Sequence, residues 1–360
     1  MSLSIKERII RNLFAGYKKS QAKVHSLSYL FWECTLRCNL NCLHCGSDCR
    51  KESNISDMPI DDFVSVLKNI KTKFKSSEVM VVLTGGEPTL IKDLEECGRQ
   101  IRNQGFPWGM VTNGFTLTEE RFQNLLNAGL GAVTLSLDGL EENHNWIREN
   151  KKSYTRAVNS LKIISKAPNL VYDVVTCVNK RNINQLEEIR QLLLYHNVKA
   201  WRLFTIAPIG RAKLFEDLSL SGEEIKYLFE FIKSHRNDDI IKINFSCEAY
   251  TGEYENKIRD GLFYCRAGIN IGSVLADGSV SACPNISRNF IQGNIYQREF
   301  TKIWENEFKS FRNRQWMKNG ICKNCNEYKY CLGGAMHLRV EENSEILCCL
   351  NYKMKYNETN

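Results

Sequence analysis

Short apolar runs alternate with stretches of helical periodicity along the first two thirds of the chain. Tyr29 to Glu33, Val79 to Leu83, Gly109 to Thr112, Val133 to Leu137, Val171 to Val178 and Ala200 to Ile206 read as strands. Between them, Pro59 to Phe74, Glu119 to Asn127 and Leu186 to His196 carry apolar residues at helical spacing. The first has Asp61 and Asp62 in its opening turn, where acids complement the positive helix end. Such alternation predicts an α/β fold with a parallel sheet and crossover helices. The six units fall short of a full eight-unit barrel. Periodicity alone leaves a partial barrel and a doubly wound sheet both open. In either architecture, chemistry belongs at the carboxyl ends of the strands.

The pattern changes past Asn244, where helical periodicity stops and cysteines return among short strands and turns, marking a second domain. Gly272 to Cys283 reads as a β-hairpin, because Asp277-Gly278 suits a turn with positive φ. At the other end, Ile5, Ile9, Ile10, Leu13 and Phe14, with basic residues between them, predict an amphipathic helix packed on the host domain. The expected organisation is a helical extension over 1–27, a core over 28–240, a bridge over 241–261, a cysteine-rich domain over 262–352 and a tail over 353–360.

At 360 residues and 43% hydrophobic content, the chain can bury one large core and a smaller domain. Its net charge of +8 is dispersed apart from Lys18, Lys19, Lys23 and the stretch from Lys71 to Lys75. This reads as a solvated surface and not as a nucleic-acid footprint. Fifteen cysteines would suggest disulfides in a secreted chain, but Met1 to Lys23 holds no long apolar run followed by a cleavage site. The expected location is therefore cytoplasmic, with reduced thiols available for metal. No apolar stretch is long enough to predict a membrane span.

The thiols are clustered. Cys38, Cys42 and Cys45 follow the first strand at CxxxCxxC spacing, which lets one loop wrap three corners of an iron-sulfur cube and leaves the fourth iron open. An open iron can bind a small molecule and pass it an electron, which points to catalysis instead of electron storage. The bland alternatives are a zinc knuckle or buried thiols. Cys34 and Cys49 flank the trio and read as structural, with Cys49 kept as a weak catalytic candidate.

Thr84-Gly85-Gly86-Glu87-Pro88 ends the second strand. Its glycines permit close backbone approach to a ligand, and Glu87 could accept from an ammonium group. Asn113 and Ser136, at the ends of the third and fourth strands, are binding candidates, and Asp138 is a weak catalytic one. Their neighbouring glycines also suit ordinary turns. Thr176, Asn179 and Arg202 are lesser candidates, and Arg211, in Pro208-Ile209-Gly210-Arg211, reads as solvated.

In the C-terminal part, Cys322, Cys325, Cys331 and one of Cys348 or Cys349 supply four thiolates, a complete site for an iron-sulfur cluster or for zinc. Two adjacent cysteines are not expected to serve separate sites, so one of that pair reads as idle. Cys247, Cys265 and Cys283 are either ligands of a second, incomplete site or spare structural thiols.

On these motifs, taken in this order from about Tyr29 to Asn351, the chain resembles the radical S-adenosylmethionine (radical SAM) superfamily. Cys265, Gly278, Cys283, Cys322, Cys325 and Cys331 resemble the framework of the SPASM domain. The resemblance implies a partial (β/α)6 TIM-like barrel with a small cysteine-rich SPASM domain. It implies a [4Fe-4S] cluster on Cys38, Cys42 and Cys45 whose open iron chelates SAM, and one or two auxiliary [4Fe-4S] clusters. Reduction then cleaves SAM to a 5'-deoxyadenosyl radical that abstracts a substrate hydrogen. The GGEP segment would hold the amino end of SAM, with Asn113, Ser136 and Arg202 meeting the rest of SAM or the substrate. Three departures stand out. His44 occupies a place that is often aromatic, Ala335 falls where the framework's next cysteine would be, and Pro284 replaces the acid that acts as base in sulfatase maturation.

More narrowly, the chain resembles radical SAM/SPASM proteins of Bacteroidetes assigned to a radical SAM/lipoprotein system. The expected substrate is a peptide or protein, on the narrower resemblance a secreted or lipoprotein precursor. The expected reductant is a flavodoxin- or ferredoxin-type protein. A nucleotide or small-metabolite substrate and a non-catalytic iron-sulfur scaffold stay open as other classes.

Overall fold

The computed structural model describes residues 4–236, 238–246 and 249–356. A first helix, α1 (Ile5–Val24), precedes a run of parallel strands: β1 (Tyr29–Thr35), β2 (Met80–Gly85), β3 (Trp108–Thr112), β4 (Leu130–Ser136), β5 (Val171–Val178), β6 (Ala200–Thr205) and β7 (Lys242–Phe245). These pair in chain order, each parallel to the next. The connections carry α2 (Ile60–Lys71), α3 (Leu94–Asn103), α4 (Glu119–Asn127), α5 (Glu141–Ile147), α6 (Ser153–Ile164), α7 (Leu186–Tyr195) and α8 (Gly222–Ser234). The six expected units thus gain a seventh strand. In β7, Ile243 and Phe245 are buried while Lys242 is exposed, and four residues are too few for that alternation to stand out in sequence.

The sheet continues across the expected domain boundary. β8 (Ile271–Val274) pairs parallel to β1, β9 (Ser279–Ser281) antiparallel to β8, and β10 (Gly293–Asn294) antiparallel to β9. The order is β10-β9-β8-β1-β2-β3-β4-β5-β6-β7. The β8–β9 hairpin turns at Asp277-Gly278 as the sequence predicts, with Ser273 opposite Ser281 and Val274 opposite Val280.

Period-two alternation gives the sheet two faces. Trp32, Leu83, Met110, Val133, Val174 and Leu203 are buried in the core. Trp32 stacks on Phe63 of α2, with ring centroids 4.4 Å apart and planes at 4°. Trp108 lies so close over α3 that a Cβ on Gly98 would meet its ring at 2.3 Å. Burying a side chain such as Phe63 contributes roughly 1.5–3 kcal/mol. Glu33, Thr84, Ser136 and Arg202 fall on the opposite face, toward which the strand-end loops converge.

α1 forms where expected but turns the unexpected face inward. Ile5, Ile9 and Leu13 are 79%, 54% and 71% exposed, whereas Arg11 and Lys18 are 3% and 4% exposed. Arg11 reaches the Tyr250 hydroxyl, the Gly252 carbonyl and Glu327. Lys18 lies over the rings of Phe14, Phe263 and Tyr264. Aromatic faces attract these cations and their alkyl stems pack, so the helix docks by its basic side chains on the C-terminal part. Among the described residues, no helix is long and apolar enough to cross a membrane.

Candidate active site

The cysteine loop leaves the carboxyl end of β1 and is held from three sides. Its own turns place Cys38 N–H on the Arg50 carbonyl at 2.7 Å and Cys45 N–H on the Cys42 carbonyl at 3.2 Å. From below, Leu43 N–H donates to Ile147 of α5 at 2.9 Å. From the segment after β6, Arg211 donates through Nε to the Cys42 carbonyl at 2.9 Å, and through Nη1 to the Cys49 carbonyl at 2.9 Å and to Asp48 at 2.8 Å. Arg211 is therefore not solvated, as its type suggests; it is a buried clamp. Gly210 makes this possible. Its φ is +56°, and a Cβ there would lie 2.3 Å from the Gly46 carbonyl oxygen.

Two N–H donors face the loop's sulfurs. Arg148 Nη1 lies 3.5 Å from Cys42 Sγ and Asn113 Nδ2 lies 3.8 Å from Cys38 Sγ. Arg148 is anchored by Asp138, whose Oδ2 accepts from Nε at 2.7 Å and from Nη2 at 2.5 Å. Burial alone would raise the Asp138 carboxyl, but Arg148, His44 and His144 hold it at about 2. Asp138 is fully enclosed and orients Arg148 as a fixed charge.

Burial lowers His44 to about 4, so its imidazole is neutral. Its Nε2 sits 3.4 Å from Asp138, while its buried Nδ1 has no hydrogen-bond partner among the described residues. Cys177 joins them, and its sulfur, a His44 nitrogen and an Asp138 oxygen lie within 4.8 Å of one another, although Asp138 is already committed to Arg148. Burial pushes the Cys38 thiol up to about 12, while a hydrogen bond from the buried Cys49 draws Cys45 down to about 6. Cys49 thus attends Cys45 and faces no open space.

The GGEP segment serves the loop in a way the sequence reading missed. A Cβ on Gly85 would fall 2.1 Å from the Thr35 carbonyl oxygen, and one on Gly86 2.0 Å from that of Arg37. The glycines thus let β2 close against the cysteine loop, whatever else approaches them. Pro88 and Glu87 are buried and Thr84 is half-buried. Glu87 Oε1 accepts from Thr89 N, Thr89 Oγ1 and Thr112 Oγ1, and its Oε2 accepts from Asn113 N at 2.7 Å. Its side chain ties β2 to β3, with three bonds on Oε1 and one on Oε2.

Asn113 lies against Cys38, and Ser136 is half-buried at the end of β4. Arg202 is bonded to Asp173 and Thr134, one side-chain layer below the strand ends. Thr176 and Asn179 are enclosed in internal hydrogen bonds.

A second thiol group forms in the C-terminal part. Cys322, Cys325, Cys331 and Cys349 line one cavity of about 370 Å³. Burial pushes Cys331 and Cys349 up, and neighbouring thiols of the same group add to the rise in each. Cys348 is not among the residues that line this cavity. With Cys265 and Cys331, and beside Ala335, it packs on the small apolar cluster of Tyr250, Phe263, Tyr330 and Leu338. Cys283 follows β9 and is half-buried, and Cys247 lies outside the described residues. Arg339 is buried with Nη2 3.5 Å from Cys322 Sγ. The donor sets suit iron-sulfur clusters: soft thiolates grouped in threes and fours, with buried N–H donors and guanidinium groups directed at the sulfurs.

Sequence comparison agrees with this geometry. The Radical SAM superfamily matches residues 32–193, and SPASM, an iron-sulfur cluster-binding domain, matches residues 265–326. The AdoMet-dependent heme synthase of Methanosarcina barkeri is 25% identical over 326 residues, which cover 84% of this chain and 89% of that protein. Mycofactocin maturase MftC of Mycolicibacterium smegmatis is 28% identical over 314 residues, 85% of this chain and 77% of that protein. In fold, SuiB of Streptococcus suis bound to its precursor peptide SuiA superposes with a TM-score of 0.70 at 16% identity, covering 97% of this chain and 82% of that one. The anSMEcpe structure with bound AdoMet gives 0.70 at 18% identity, covering 92% and 95%. These likenesses establish the α/β partial-barrel fold. The chain belongs to the radical SAM superfamily, as an enzyme whose core binds SAM and a [4Fe-4S] cluster and whose SPASM domain binds auxiliary iron-sulfur clusters.

Proposed function

We propose that the enzyme removes a hydrogen atom from a peptide or protein substrate, with Cys38, Cys42 and Cys45 holding the SAM-binding cluster and Cys322, Cys325, Cys331 and Cys349 an auxiliary one. The observation that carries the substrate class is the cleft between the strand-end loops and the C-terminal domain. It encloses about 290 Å³ between Glu33, Leu36 and Ser47 on one side and Leu275, Pro284 and Ile286 on the other. That volume is at the lower end for a whole small ligand, which needs roughly 300–1,000 Å³. It suits a single side chain of a longer chain whose remainder stays outside.

When bound, the cluster and SAM supply a 5'-deoxyadenosyl radical on reduction. The protein's own residues position and tune. Arg211 and Gly210 fix the loop that presents the thiols. Asp138 orients Arg148 toward Cys42, and Glu87 orients Asn113 toward Cys38. From the cleft wall, Glu33 offers a carboxyl that burial pushes up to about 7, in range to hold or release a proton near neutral pH.

A secreted or lipoprotein precursor is the narrower proposal, supported by the sequence resemblance. A flavodoxin- or ferredoxin-type reductant and a cytoplasmic location complete it. A second reading, a tetrapyrrole substrate, is favoured by the heme synthase relative. The two separate in one experiment. Anaerobically reconstituted enzyme is given SAM, dithionite and either deuterated candidate peptides or an iron porphyrin, and 5'-deoxyadenosine is analysed by mass. Deuterium arriving from a peptide supports the proposal. Turnover that depends on the porphyrin and takes no label from any peptide refutes it.

A further inference from the structure

We infer that Lys18, on a helix outside both family matches, supplies the compensating charge for the auxiliary iron-sulfur site and raises that site's reduction potential. The inference rests on the auxiliary-site assignment above. It begins from a buried charge with no acid paired to it among the described residues.

Lys18 is 4% exposed, and its ammonium donates to the Tyr330 carbonyl at 2.5 Å. Its other neighbours are rings, with Phe14, Phe263 and Tyr264 centred 5.1, 5.7 and 5.8 Å away. Among the described residues, no carboxylate lies within 4.0 Å of it. The nearest acid in effect, Glu255, is already used: it accepts from Thr251 N, Thr251 Oγ1 and Phe263 N and faces Arg259. An ammonium enclosed this way, with one oxygen acceptor and no counter-charge among the described residues, is strongly disfavoured unless an anion joins it.

Two neighbouring arginines repeat the pattern. Among the described residues, Arg314 donates only to main-chain carbonyls, those of Phe311, Cys265 and Ala267. Arg339 bonds Asn319, the carbonyls of Ser344, Met317 and Gly333, and Cys322 Sγ. Three buried cations therefore surround the C-terminal thiols, with no acid among the described residues paired to any of them. The acceptor of Lys18, Tyr330, is next in chain to Cys331, and Tyr264 is next to Cys265. The lysine thus stands between the two groups of thiols.

A [4Fe-4S] core on four thiolates carries net negative charge, and one unit more when reduced. It is a counter-ion that no acid among the described residues supplies to this pocket. A fixed cation nearby stabilises the reduced form most, because attraction scales with the product of the charges. Burial pushes the lysine down to about 8, still above neutral, so the ammonium keeps its charge at pH 7.

The test compares wild type, Lys18→Met, Lys18→Gln and Lys18→Arg, each reconstituted anaerobically, by iron and sulfide counts and by EPR-monitored redox titration. Met and Gln should keep full iron and shift the auxiliary midpoint to more negative potential, with the core cluster's midpoint unchanged and Arg restoring the wild-type value. Loss of auxiliary iron in Met and Gln but not in Arg supports the same role. An unchanged auxiliary midpoint at full iron overturns the inference, as does an equal shift of both centres or a failure of all three variants to load. Wild-type protein that holds only one cluster's iron overturns the auxiliary assignment itself, before any variant is read.

Discussion

Replacing Glu33 by Gln should make the protein more stable, and only above a defined pH. Glu33 is 4% exposed, and its Oε1 accepts from Ala276 N–H at 3.2 Å. Burial raises its carboxyl from the ordinary 4.5 to about 7, while the bond from Ala276 and the charge of Arg288 resist the rise and Asp277 adds to it. The folded chain therefore keeps this proton longer than the unfolded chain does. Stability falls as pH climbs from 4.5 to 7 and is level outside that window. At about 1.36 kcal/mol per pH unit, the gap between 4.5 and about 7 costs the folded state about 3 kcal/mol at pH 8. Gln keeps an acceptor for Ala276 and has no charge to bury. Urea unfolding of the cluster-free chain, followed by tryptophan fluorescence, should show little difference between variant and wild type at pH 4.5. The variant should gain about 3 kcal/mol at pH 8. Infrared titration should show a protonated carboxyl band lost near pH 7 in wild type and absent from the variant. Equal pH slopes for both proteins would refute the reasoning, because they would mean that Glu33 ionises freely in its pocket.

Arg211→Met removes the bonds to the Cys42 and Cys49 carbonyls, each unsatisfied buried group costing about 1–3 kcal/mol. Reconstituted iron should drop by about four atoms per chain with the auxiliary signal retained, and full core loading would show that the clamp is dispensable. Cys349→Ser should lose the iron of the Cys322 group, whereas Cys348→Ser should keep it; the reverse pattern in iron counts and EPR would reassign the ligand. Asp138→Asn leaves the Arg148 charge buried beside Cys42 without its carboxylate. Breaking such a pair costs about 3–5 kcal/mol, so the thermal midpoint should fall by several degrees, and an unaltered midpoint contradicts the strut role.

Much of the core was legible because its signals are local. Val171–Val178 and Glu119–Asn127 have the bounds their apolar patterns predict, since strand and helix periods are distinct over that length. The thiol spacing marked the loop after β1 for the same reason. What was not legible depends on partners distant in sequence. Arg211 and Lys18 read as solvated by residue type, yet both are buried, one by carbonyls of a loop far upstream and the other by rings of the C-terminal part. Hydrophobic counting scores α1 by Ile5, Ile9 and Leu13 and cannot see that aromatic faces select its basic side instead. Glu33 did leave a trace: it is the one carboxylate in Tyr29–Thr35, a strand otherwise apolar or uncharged.

The continuous sheet explains why these residues meet. Because β8 pairs parallel to β1, with Tyr29 opposite Ile271 and Trp32 opposite Val274, one strand serves both parts of the molecule. Its other edge pairs with β2, whose GGEP end closes on the cysteine loop. Glu33, one residue beyond the last β1–β8 pair, reaches the Ala276 N–H at the hairpin turn. β1 therefore sets the distance between the cysteine loop and the SPASM hairpin without a flexible linker between them. The cleft that bears Glu33 and Pro284 is a consequence of that register and not of a docking equilibrium. A one-residue slip in the β1–β8 pairing would turn every side chain of β8 to the other face and place the hairpin's loop away from Glu33. The strong burial of Trp32 on one face and of Val274 beside it opposes such a slip. The core apolar residues that hold the strand in place thereby also fix the geometry of the polar cleft above it.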